Sequence, residues 1–87
     1  NKAKENFAKH KISFEEATSI FDDPFFIIFN DPDHSFDERR FIIIGLSVEN
    51  HYLFVSYTER ENIRIIRARE LTSKERKDYE NRRPKEQ

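Results

Sequence analysis

Six cations fall within seventeen residues of this chain: Arg60, Arg64, Arg67, Arg69, Lys74 and Arg76, against Glu61, Glu70 and Glu75. Guanidinium forks match phosphate oxygens in pairs and stack on bases, so the cluster suits a phosphate-bearing ligand such as RNA. Cleavage of RNA by its own 2′-hydroxyl needs a base for that proton, cationic cover for the phosphorane and a proton for the leaving oxygen. Glu59, beside Arg60, and His10 are the candidate bases, with the arginines as cover. The same residue types also form cross-strand and i,i+4 ion pairs on a solvated face, and Glu59 and His10 equally suit a salt bridge and a helix end. A non-catalytic module that binds protein or nucleic acid through the same basic face is therefore the alternative.

The basicity is local. The 87 residues hold 16 Lys+Arg and 17 Asp+Glu, a net charge of −1. Residues 1–50 carry 6 Lys+Arg and 10 Asp+Glu, whereas residues 51–87 carry 10 and 7, so a polarised surface is expected. There is no Cys, which excludes disulfides and thiolate metal sites and permits a reducing compartment. Asp31, Asp33 and His34 fit neither a calcium loop nor a zinc pattern, and no metal or other cofactor is expected. No apolar run approaches the roughly 18 residues of a membrane span, and no signal-peptide pattern opens the chain, so a cytoplasmic protein without membrane contact is expected. The first residue is Asn1 rather than Met, from which missing N-terminal sequence is expected.

The elements that must position these groups read as follows. Residues 2–10 form a short helix with Ala3, Phe7 and Ala8 inward and His10 and Lys11 at its C-terminal end. Ser13-Phe14-Glu15-Glu16 is a capping box opening a second helix, which Asp23-Pro24 ends. Phe25 to Phe29 reads as a strand buried on both faces, followed by a turn at Asn30 to Ser35. Arg39 to Leu46 is a second strand, with Gly45 marking a bulge or a close backbone approach. Tyr52 to Arg60 is a third strand and Ile63 to Glu70 a fourth.

In the fourth strand the alternation slips, because Ile63 and Ile65 share one parity and Ile66 and Ala68 the other. A bulge at Ile65-Ile66 would bring Arg64, Arg67 and Arg69 onto one face; a regular strand would turn Arg64 away. Thr72-Ser73-Lys74-Glu75 caps a polar terminal helix running to about Arg82, with Tyr79 its one large apolar candidate and residues 82–87 a frayed tail. The prediction is one α+β domain over 1–87: two N-terminal helices, a four-stranded, mostly antiparallel sheet and a C-terminal helix.

Lys9-His10-Lys11-Ile12-Ser13-Phe14-Glu15-Glu16-Ala17 and Phe21-Asp22-Asp23-Pro24 resemble the opening of the BrnT family of bacterial type II toxins. Later segments agree in order: Asp33-His34-Ser35, Arg40-Phe41, Tyr57-Thr58-Glu59-Arg60, Ile63-Arg64-Ile65-Ile66, Ala68-Arg69-Glu70-Leu71-Thr72 and Glu75-Arg76 with Tyr79-Glu80. Lys11 stands where the family usually has Gly, Arg67 where it usually has Ser or Thr, and the family's opening F-x-W-like strand is absent. The resemblance implies a RelE-like fold and a metal-independent endoribonuclease that inhibits translation. Arg64, Arg69 and Arg76 would be its catalytic cations, Glu59 or His10 its base, and Arg60, Arg67, Lys74 and Lys9 its RNA-binding residues. It also implies neutralisation by a dimeric, ribbon-helix-helix antitoxin like BrnA, with operator DNA bound only through that antitoxin.

Overall fold

The computed structural model describes residues 2–31 and 39–82. Helices α1 (Lys2–His10) and α2 (Phe14–Ser19), the latter continued by a 3-10 turn at Ile20–Asp22, precede strands β1 (Ile27–Asn30), β2 (Arg40–Leu46), β3 (Tyr52–Glu59) and β4 (Ile63–Glu70), and α3 (Ser73–Arg82) closes the order. The strands pair antiparallel in the order β1-β2-β3-β4. This is the predicted α+β architecture. Most of the Asn30 to Ser35 turn and residues 83–87 of the expected tail lie outside the described residues. Among the described residues no helix is long and apolar enough to cross a membrane.

The sheet is covered on two faces by different elements. Ile43, Leu53, Val55, Tyr57 and Ala68 meet Ile12, Ala17 and Ile20 on the helix-hairpin side. On the other side Ile42 and Ile44 pack with Tyr79 of α3, joined by Phe25, Ile27, Tyr52, Phe54 and Leu71. Tyr79 is 1% exposed, its ring edge-on to Tyr52 at 5.7 Å and its hydroxyl donating to Asp23 Oδ2 at 2.5 Å. A helix otherwise polar is thus held by one aromatic anchor. Asp23 also accepts from the amides of Phe25 and Leu46, tying the end of the hairpin to β2. Gly45 is the close approach that its position suggested: a Cβ there would lie 3.1 Å from Asp23 Oδ2 and 3.2 Å from Ile20 Cβ.

Three local expectations give way to stronger partners. In α1 the inward residue is Asn6, not Phe7, because its amide donates to Ile12 C=O at 3.0 Å and accepts from the edge N–H of Ala68 at 2.9 Å. Two buried backbone groups would otherwise lack partners, and that requirement outranks burial of a ring. In α2 Ser13 caps the amide of Glu16, but the Glu16 carboxylate turns inward to Ser47 Oγ and His51 Nδ1, both at 2.6 Å, instead of reaching back. The third is β1, which starts at Ile27 rather than Phe25 and, as an edge strand, leaves Ile28 and Phe29 exposed, with Phe26 exposed just before it, rather than buried on both faces.

Helix α1 ends with Lys11 at φ 61°, its N–H donating to Phe7 C=O at 2.8 Å. That is a left-handed C-cap, the conformation Gly adopts without steric cost.

Candidate functional site

Register decides which arginines act together. Phe54 pairs with Arg69, Ser56 with Arg67, Tyr57 with Ile65 and Thr58 with Arg64, so Ile66 is the extra residue of a bulge. Residues paired across an antiparallel ladder share a face. The bulge therefore sets Arg64, Arg67 and Arg69 on one face of β4, the arrangement the slip in alternation called for. In the same rows, β2 supplies Ile44 beside Phe54, Ile42 beside Ser56 and Arg40 beside Thr58. The face grades from apolar under α3 to basic at its open end, where Arg40, Thr58 and Arg64 form one row.

The arginines on this face differ in state. Arg69 holds Glu75 through two parallel hydrogen bonds, Nη1 to Oε1 at 2.8 Å and Nη2 to Oε2 at 2.9 Å, and its guanidinium lies 3.9 Å from the centre of the Phe54 ring. Glu75 also completes the Thr72 capping box, accepting from the Thr72 amide while its own amide donates to Thr72 Oγ1. The Arg69 bonds, reinforced by that amide and opposed by burial, pull the Glu75 carboxyl down to about 2. Arg76 stacks 4.1 Å above Tyr52 and approaches Glu80 at 3.9 Å. Arg69 and Arg76 are thus laid over neighbouring rings of β3 and brace the start of α3.

The open end of the face meets α1 in a cleft of about 390 Å³. Lys2, Glu5, Asn6, Lys9 and His10 line it from the helix, Arg40, Phe54, Ser56, Ile66 and Arg67 from the sheet, and Asp31 from the end of β1. Asn6 fixes α1 to the β4 edge through Ala68, which is why its neighbours can project over the sheet.

Of the residues singled out in the sequence, His10, Lys9 and Arg67 share this cleft, and Arg64 lies one row along the same face. Arg69 and Arg76 stand toward α3. Lys74 is exposed in the first turn of α3, and Arg60 is exposed in the β3–β4 turn. Glu59 pairs with Ile63 on the opposite face, that of Tyr57. There, burial foremost and then the Glu59 charge raise the Tyr57 hydroxyl above its usual range. Glu59 is therefore separated from the arginine face by the sheet. Among the described residues no three His, Cys, Asp or Glu side chains could hold a metal ion, and Asp33 and His34 lie outside them.

Arg40, Lys2 and Ser56 are cleft residues beyond the cluster that composition and spacing single out. Period-two alternation on β2 carries Arg40 onto the face of Ile42 and Ile44, and that signal was available.

A family model described as the ribonuclease toxin, BrnT, of type II toxin–antitoxin systems matches residues 1–75. The chain belongs to the BrnT family. The BrnT match spans α1, α2, the whole sheet and the Thr72 capping box that opens α3, and with them every cleft residue; Arg76 and Tyr79 fall beyond it. No curated protein matches the chain.

Proposed function

We propose that this BrnT-family protein is a metal-independent endoribonuclease that works in the cytoplasm, cuts RNA in the cleft between α1 and the open sheet face, and so inhibits translation. One observation carries the assignment: His10 and Lys9 of α1 line the same cleft as Arg67 and Arg40 of the sheet, with Arg64 in the next row. An imidazole sharing a cleft with several cations is the set that 2′-hydroxyl attack requires, and this supports the reading. His10 takes the 2′-hydroxyl proton as the P–O2′ bond forms and the P–O5′ bond breaks, and the 5′ oxygen takes a proton from water in the open cleft. The products are a 2′,3′-cyclic phosphate and a 5′-hydroxyl. Arg67 and Arg64 cover the phosphorane, and Lys9 with Arg40 holds the flanking backbone. Arg69 and Arg76 act as positioning residues, keeping α3 and the β3 rings in place.

Membership in a type II family supports a protein antitoxin as partner. The reading extends to a dimeric, ribbon-helix-helix antitoxin like BrnA, which carries the complex to operator DNA. Incubating the protein with RNA in EDTA tests the enzyme assignment: cleavage by the wild type, lost in His10→Ala and Arg67→Ala with the circular dichroism spectrum unchanged, supports it. Retardation of RNA without cleavage points instead to a binding module.

A further inference from the structure

Helix α1 has two working sides. One lines the cleft; the other, with α2, lines a second concavity of about 470 Å³ formed by Ala3, Lys4, Phe7, Ala8, Ser13, Phe14 and Glu15. Because Asn6 takes the inward position, Phe7 is left 50% exposed in this groove. Ala3 and Phe7 lie four residues apart, hence on one stripe of the helix, and Phe14 faces them from α2. Around Phe7 the groove carries Lys4 and, at the helix end, Lys11 against Glu15, with Lys11 Nζ 6.0 Å from the Phe7 ring centre.

We propose that this groove is the docking site of the antitoxin, entered by an acidic amphipathic helix whose apolar anchors cover Phe7. The family is a two-component one, so a second protein must bury some surface of this chain. A concave apolar seam between two helices is the surface that an amphipathic helix fills, with anchors at i and i+3 or i+4. Lys4 and Lys11 on either side of Phe7 favour an acidic flank on that helix beside its apolar anchor. Docking here seats the antitoxin on the helix that carries Lys9 and His10, so it can restrain the cleft wall without occupying the cleft. The inference rests on the antitoxin part of the proposed function and not on the assignment of the cleft.

The test uses the full chain and its cognate antitoxin, reading binding by titration and RNA cleavage in parallel. Phe7→Glu is expected to lower antitoxin affinity by at least about tenfold, since a charge replaces a buried anchor. Its RNA cleavage should remain at the wild-type rate and no longer be suppressed by antitoxin. Phe7→Ala, which introduces no charge, should show a smaller loss in the same direction with an unchanged circular dichroism spectrum, and wild-type affinity should fall as salt rises. Wild-type affinity and inhibition in both variants overturn the proposal. So does self-association of the wild-type chain that Phe7→Glu abolishes, which would make a second copy the occupant. If the wild type binds no antitoxin, this proposal and the neutralisation reading fall together; absence of cleavage by the wild type strikes the cleft assignment alone.

Discussion

Replacing Glu75 by Gln tests whether Arg69 is a structural rather than a free cation. The Glu75 carboxyl is drawn from an ordinary 4.5 to about 2, chiefly by its paired bonds to Arg69. At about 1.36 kcal/mol per pKa unit, a shift of this size sets a ceiling of roughly 3.4 kcal/mol on the stability linked to that ionisation. The two side chains are 25% and 26% exposed, so solvent screening lowers the expected effect to about 1–2 kcal/mol. The sign follows from the depressed folded value. The contribution is fully present above the unfolded pKa near 4.5 and fades as pH falls toward the folded value near 2. Urea unfolding of wild type and Glu75→Gln across that range isolates the effect, because other carboxylates cancel in the difference. The gap should be about 1–2 kcal/mol near neutral pH and should close as pH approaches about 2. A gap that is absent, or constant with pH, refutes the clamp.

Lys11→Gly should stabilise the fold by about 1 kcal/mol in chemical denaturation, since it removes a left-handed lysine at the end of α1. Tyr79→Phe keeps the ring against Tyr52 but leaves Asp23 Oδ2 without its hydroxyl donor, and should cost about 1.5–3 kcal/mol by the same method. The His51 imidazole is raised above its usual range by its hydrogen bond to Glu16, while burial raises Glu16 less than its bonds to Ser47 and His51 lower it. Stability from the His51 pair is therefore present below about pH 6.5 and lost as pH rises through the higher folded value. His51→Asn should flatten the melting temperature over that window relative to wild type.

What could be read in the sequence was what local patterns encode. The Ser13 and Thr72 caps, the end of the hairpin at Pro24 and the crowding at Gly45 all depend on near neighbours or on one residue's shape. The bulge was legible because a parity slip between Ile65 and Ile66 has few physical remedies. Tertiary demands were not legible. Nothing in KAKENFAKH announces that Asn6 will satisfy the Ala68 amide sixty-two positions away and turn Phe7 outward. Nothing in FFIIF says that its strand lies at a sheet edge. At the site, the sequence supplied the arginines but not their states: Arg69 looked like a free cation until Glu75, across the Leu71-Thr72 connection, was seen to hold it. Glu59 looked adjacent to the arginines because it is adjacent in sequence, and the register puts it on the other side of the sheet.

The central claim is that His10 and Arg67 do chemistry together in one cleft. Its most direct measurement is the rate of cleavage of a single-stranded RNA in EDTA by wild type, His10→Ala and Arg67→Ala, with Lys77→Ala, exposed on α3, as a surface control. The expected result is a 5′-hydroxyl product, a loss of about a hundredfold or more in each cleft variant, and a near-wild-type rate for the control. Cleavage by His10→Ala and Arg67→Ala at the wild-type rate would contradict it.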